Sequence, residues 1–225
     1  MHLKRISAST VILFIIGCLA GCTKSSAPLN SANVMFVNGC VSASSVSVKA
    51  NSASVDGASG IPFLGYSGYQ PVTAGSGVNL TFFLSSGVAF ANRAVNIAAP
   101  NHYSAFVGGD IANPTYVFTT DDLTPPSKGN AKLRFVNLSP DNISETITAN
   151  DSIVAQGFGP DSVSAFYLLR AGKYALGMFD PRNDSISTTT DSLVFTSGKI
   201  YTVMLTGTQL GSGATGLVLT TTKNN

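Results

Sequence analysis

The chain has 225 residues, 44% of them apolar and only 11% charged, with no tryptophan; this is enough for two domains of ordinary size, and Glu145 is its only glutamate, so helix formers are scarce. Lys4 and Arg5 lie at the extreme start, and beyond residue 21 the other 11 basic side chains are balanced by 11 acidic ones. That neutrality excludes the basic footprint of a nucleic-acid binder and leaves no basic run to hold anionic lipid.

Residues 1–21 have the order of an export signal. Lys4 and Arg5 precede the apolar run Val11–Leu19, which falls short of the roughly 20 apolar residues that a membrane span needs. The run ends in Leu19-Ala20-Gly21-Cys22, which resembles the lipobox cut by lipoprotein signal peptidase. The resemblance implies that Cys22 becomes the lipid-carrying first residue of the mature chain. Stable anchoring takes more than one acyl chain, at about 0.8 kcal/mol per buried methylene. Residues 22–33 follow as a tether, polar and proline-containing, and eleven residues of it span at most about 40 Å. No aspartate follows Cys22, which by resemblance to sorting rules implies the outer membrane, with the periplasmic face or the cell surface left open. The acidic cluster that some Bacteroidota lipoproteins use for surface display is absent.

The remainder is written twice. Val34-Met35-Phe36-Val37-Asn38 recurs as Leu133-Arg134-Phe135-Val136-Asn137, Ala74-Gly75 as Ala171-Gly172, and Tyr103–Val107 as Tyr201–Leu205. Tyr116–Thr120 matches Leu217–Thr221, so four blocks recur in one order at nearly constant spacing. The first unit spans 34–123 and the second 131–225, joined by a proline-containing linker over 124–130. Apolar residues alternate with period two in short runs broken by Gly, Asn, Asp or Pro. In the second unit the expected strands are 132–137, 143–149, 152–157, 163–169, 173–179, 191–196, 199–206 and 216–222. The expected fold is all-β: two tandem immunoglobulin-like antiparallel β-sandwich domains.

Ala131–Asp141, together with Tyr167–Tyr174 and its Ala171-Gly172-Lys173-Tyr174 phrase, resembles the family catalogued as domain of unknown function 4397 (DUF4397). The resemblance covers the second unit well; the first departs from it at Asn38-Gly39-Cys40. It implies a sandwich fold in lipid-anchored or secreted bacterial proteins and supplies no catalytic residues.

Catalytic constellations are hard to assemble from what remains. Beyond residue 21 the one histidine, His102, matches Ile200 of the second unit and is expected at a turn or surface, so a His-based triad or zinc site lacks its parts. Cys18 leaves with the signal and Cys22 takes lipid, so Cys40 cannot form a disulfide framework and is expected as a small buried apolar residue. Asp180, Asn183 and Asp184 form the densest oxygen cluster and are the one weak candidate for a metal, without the spacing of an EF-hand. Gly211–Gly216 fits a dinucleotide pattern but precedes a strand, which makes it a hairpin loop, and Gly65–Gly68 falls one residue short of a nucleophile elbow. Tyr66 and Tyr69 could present rings to a sugar or peptide, although Tyr69 aligns roughly with Phe166, which suggests a core or corner role. Ser152, Ser162, Ser185 and Ser192 each follow an aspartate and precede an aliphatic residue, which resembles the Bacteroidota O-glycosylation acceptor; the same pattern also marks entry into a strand.

These features point to a non-enzymatic, lipid-anchored envelope protein serving interaction, adhesion or scaffolding, with no cofactor and with a protein or glycan as ligand. A second reading is a glycan-binding accessory surface lipoprotein. A third is a hydrolase of unfamiliar type, which requires carboxylates converging in one cleft.

Overall fold

The computed structural model describes residues 30–141, 145–180, 185–209, 211 and 216–225, and among them the regular structure is all strand. In the first unit β1 (Ser31–Asn38), β5 (Tyr66–Thr73), β8 (His102–Gly109) and β9 (Pro114–Thr120) form one sheet in the order β5-β1-β8-β9. Facing it are β2 (Ser45–Ala50), β3 (Ala53–Ser54), β6 (Gly75–Leu84) and β7 (Ala89–Ile97) in the order β3-β2-β6-β7, with β4 (Ile61–Pro62) paired to β2.

The second unit repeats this plan. Its strands are β10 (Asn130–Asn137), β11 (Glu145–Ala149), β12 (Ser152–Phe158), β13 (Tyr167–Arg170), β14 (Gly172–Asp180), β15 (Ser185–Phe195), β16 (Ile200–Thr206) and β17 (Val218–Lys223). They form sheets ordered β13-β10-β16-β17 and β12-β11-β14-β15. All eight strands expected there are present. The strand expected at 163–169 is shorter, because Val163 makes only an isolated bridge to Val136 before Tyr167 takes up regular pairing.

Three features depart from the expectation. The opening strand of each unit runs parallel to the second-last, Asn33–Asn38 against His102–Val107 and Lys132–Asn137 against Ile200–Leu205, while every other pair described is antiparallel. Strand β1 begins at Ser31, inside the segment expected as tether, because Ala32 is fully buried and opposite the buried Val72. The last strands match with a larger offset than their letters suggest. Tyr103 pairs with Thr120 and Tyr201 with Lys223, so Thr120 corresponds to Lys223 and Asp121 to Asn224. A slip of two residues keeps every side chain on its own face, so alternation alone cannot detect it.

Polar groups are duplicated along with the strands. The fully buried Asn38 side chain donates to the carbonyls of Ala43 (3.0 Å) and Ile61 (3.2 Å) and accepts from the Cys40 amide (3.1 Å). Asn137 likewise donates to the Phe158 carbonyl and accepts from the Ser139 amide, each at 3.0 Å. Ser67 and Ser164 accept the amides of Phe36 and Phe135. The Tyr103 and Tyr201 hydroxyls each accept a backbone amide five residues upstream, from Ala98 and Thr196, as a tyrosine corner does.

Each unit closes around its own core. Phe36, Val46, Leu80, Phe82 and Ala105 centre the first, and Leu133, Phe135, Ile147, Met178 and Val203 the second. A third cluster lies between the units: Met35, Val37, Phe106 and Val117 from the first meet Val136, Leu138 and Met204 from the second. The two inner sheets are therefore packed against each other.

Replacing Asn137 with alanine strands the Phe158 carbonyl and the Ser139 amide, at about 1–3 kcal/mol for each buried group left unpaired. The urea midpoint should fall accordingly, and Asn38→Ala should give a loss of the same order if the clamp is a repeated element.

Candidate functional site

Met35 and Arg134 occupy the same position on β1 and β10, one apolar and one cationic, each opposite a hydroxyl residue, Ser104 or Thr202. Arg134 is 1% exposed and lies in the junction between the units. Its Nη2 is 2.5 Å from Oδ1 of Asp121, whose side chain is wholly buried, and the same nitrogen donates to Ser104 Oγ at 3.1 Å. Ser104 and Tyr69 both donate to Asp121 Oδ2, at 2.6 and 2.5 Å. Arg134 Nε donates to Thr202 Oγ1 (2.9 Å), Thr202 donates to Asn224 Oδ1 (2.9 Å), and Asn224 Nδ2 donates to the Tyr69 hydroxyl (3.3 Å). The chain Arg134–Thr202–Asn224–Tyr69–Asp121–Arg134 closes on itself and crosses from unit to unit twice. The Phe166 ring lies 4.9 Å from the guanidinium, within cation–π range. Burial and the Asp121 charge push the Tyr69 phenol well above its ordinary range, so it stays a donor.

This ring accounts for Tyr69, which does not form a shelf with Tyr66. It lies opposite Met35, its hydroxyl is used in the junction, and its ring meets His102 edge-on at 5.1 Å. Tyr66 is 43% exposed. His102 is half-buried beneath Tyr69 and 3.4 Å from Asn33 Nδ2. Cys40 is fully enclosed in the first core, where burial raises its thiol above the usual value, so it stays protonated.

The glycosylation candidates separate by environment. Ser152 is exposed just after the Asn150-Asp151 turn, whereas the half-buried Ser162 donates to the Gly159 carbonyl; Ser185 and Ser192 lie in β15. Asp180 is buried at the end of β14, and Asn183 and Asp184 lie outside the described residues. Among the described residues no three His, Cys, Asp or Glu side chains converge on one point. Residues 212–215 of the Gly211–Gly216 motif also lie outside the described residues.

An outward groove that composition and spacing did not announce lies on the first unit. It encloses about 390 Å³ and is lined by Ser47, Lys49, Ser54, Asp56, Phe83 and Ser85 among others. Lys49 holds its ammonium 4.8 Å over the Phe83 ring. The groove arises because β2 and β6 pair Ser47 with Phe83 and Lys49 with Thr81, while the chain after β3 folds back alongside. Lys49 and Phe83 come from strands far apart in sequence, and no local motif joins them.

The family described as Domain of unknown function (DUF4397) matches residues 32–144, which is half of the chain. The chain belongs to that family. The match covers the first unit and the opening strand of the second, whereas the resemblance read from the sequence was carried by the second unit. Among solved structures, the C-terminal domain of AlgF from P. aeruginosa is similar over 43% of this chain and 99% of its own, at 22% identity and a TM-score of 0.31. Curated proteins give no match.

In this DUF4397 chain Arg134→Met leaves Asp121 buried beside no cation. Breaking such a pair from one side costs about 3–5 kcal/mol, and unfolding in urea should register it. Adding Asp121→Asn should recover more than half of the loss.

A second ion pair brackets the linker, with the Lys132 side chain 12% exposed and that of Asp122 58% exposed. Lys132 Nζ donates to the Thr124 carbonyl at 2.9 Å and lies 2.6 Å from Asp122 Oδ2; this bond to Asp122, with those from the Thr124 side chain and amide, lowers the Asp122 carboxyl from 3.8 to about 2. A carboxyl lowered on folding stabilises the clamp above its unfolded value and loses that effect as pH falls from 3.8 towards about 2. The Thr124 amide signal in NMR should titrate with that low midpoint, and Lys132→Ala should move the midpoint upward.

Proposed function

We propose that this DUF4397 chain is a non-enzymatic envelope protein, held at the outer membrane by lipid on Cys22, whose joined sandwiches serve interaction, adhesion or scaffolding. The observation that carries this reading is the closed ring through Arg134 and Asp121. It fixes two sandwiches as one body, as suits a display scaffold, and it uses the one strongly buried ionic constellation described for structure. With the inner sheets packed on each other, the outer sheets and the loops are left to meet partners. The lipobox-like Leu19-Ala20-Gly21-Cys22 and the polar stretch after it support attachment through the N-terminus.

A second reading, glycan binding, is favoured by the groove on the first unit. Hydroxyls from Ser47, Ser54 and Ser85, with Lys49 and Asp56, offer donors and acceptors suited to sugar hydroxyls beside the Phe83 ring. Retention on immobilised polysaccharide should fall with Lys49→Ala and be unaffected by Arg134→Met if the groove is responsible.

Anchoring is tested by labelling cells with a fatty-acid analogue. Wild type should carry label and fractionate with membranes, and Cys22→Ala should be unlabelled and leave the membrane fraction. An unlabelled wild type would refute lipid attachment. Protease shaving of intact cells then reports the face: degradation indicates surface display and protection a periplasmic scaffold.

A further inference from the structure

The two inner sheets are copies of one surface, yet they meet through residues that differ between the copies. Asp121 of the first unit corresponds to Asn224 of the second, and Met35 to Arg134. The ion pair therefore forms in one sense only, from the first unit's carboxylate to the second unit's guanidinium. Shape differs at the same junction. Gly39 and Leu138 share a position, each amide donating to the equivalent carbonyl of the second-last strand, Val107 or Leu205; Gly108 likewise corresponds to Thr206. Leu138 packs against both glycines. A Cβ added to Gly39 would meet its Cδ1 at 2.8 Å, and one added to Gly108 would collide with its Cβ. In return Thr206 donates to the Gly39 carbonyl, and Thr115 Oγ1 and the Gly109 amide donate to the Leu138 carbonyl at 2.9 and 3.0 Å. Thr206 meets Gly39 while its counterpart Gly108 meets Leu138, so the contact has the reciprocal form of a twofold interface.

We infer that the sheet β5-β1-β8-β9 is a pairing surface specific for a sheet of the second unit's type, and that Asp121 with Gly39 and Gly108 on one side, and Arg134 with Leu138 on the other, set that specificity. Two first units brought together would bury Asp121 beside Met35, a carboxylate with no cation, and would leave a void where Leu138 sits. Two second units would bury Arg134 beside Asn224 and force Leu138 and Thr206 into the space that glycines provide. Rejection of like copies thus comes from an unpaired buried charge and from a steric mismatch, two repulsive elements acting together. The chain can carry two copies of a self-complementary face without linking to its neighbours through them. This inference does not depend on lipid attachment or on the groove.

The test uses the full chain with a specific protease site in place of Pro125-Pro126-Ser127, folded and then cut, with native mass spectrometry to count the halves in each complex. Wild-type halves should remain together one to one, with like pairs absent. Asp121→Asn combined with Arg134→Met gives both units the same Met and Asn pairing, and like pairs should rise at least tenfold. Asp121→Arg should separate the cut halves, and adding Arg134→Asp should rejoin them, which keeps the test informative if the first variant folds poorly. Wild-type halves that drift apart or pair with their own kind would overturn the inference, as would a double Asn/Met variant that keeps the wild-type exclusivity, or a charge swap that fails to rejoin the halves.

Discussion

A guanidinium and a carboxylate, both shut away from water, govern how this molecule is put together. Two buried charges are tolerable only if each has its partner and its remaining hydrogen-bonding capacity is met. Here Asp121 receives Arg134, Ser104 and Tyr69, while Arg134 also reaches Thr202 and the Thr120 carbonyl. Ser104 and Tyr69 come from the same unit as Asp121, and Thr202 from the same unit as Arg134, but each charge finds its opposite only in the other unit. The apolar cluster around Met35, Phe106 and Met204 supplies non-directional burial, and the polar ring fixes one relative placement within it. Where the two sandwiches meet is thus decided by charge as well as by shape.

Much of the fold was legible in the sequence, for an identifiable reason. Period-two alternation in Leu133–Asn137 and Ile200–Leu205 marks strands whatever they pack against, and duplicated phrases such as Phe-Val-Asn mark equivalent positions. The recurring asparagine carries more than pattern, since around both Asn38 and Asn137 the side chain donates to a distant carbonyl and accepts the amide two residues on. The parallel pairing of β1 with β8 was not legible, because alternation is blind to strand direction. Nor was the true register of the last strand, where threonines repeat and a shift of two changes nothing visible.

The junction left a signal that was read differently. Val34-Met35-Phe36-Val37 is apolar at both parities, as expected of strands covered on both faces. Phe36 belongs to the first core and Met35 to the junction. Arg134 occupies the matching run on β10 and looks like an ordinary solvent-facing cation, because its partner Asp121 lies in another unit, just past the end of β9. Tyr69 raised the same ambiguity. A tyrosine in a glycine-rich segment suits ligand stacking and buried hydrogen bonding equally well, and only the nearness of Asp121 and Asn224 decides between them. The groove around Lys49 and Phe83 had no sequence signal, since its residues converge through pairing across β2 and β6.

The parallel alignment of β1 with β8 also determines how the molecule takes tension. Asn33 lies beside His102, and the Asp121 amide bonds the His102 carbonyl, so the chain enters the first unit and leaves it at the same end. In the second unit Lys132 is beside Ile200, whose carbonyl the Asn224 amide bonds, which places that unit's entry and exit together as well. Strand β1 is held between β5 and β8 along most of its length. A pull at Ser31 that is resisted at the opposite end of the sheet therefore runs along both ladders and loads their hydrogen bonds side by side in shear. Loaded in that direction the ladders of β1 do not unzip one rung at a time, whereas a pull between Ser31 and Asp121, which leave from the same end, acts across the sheet.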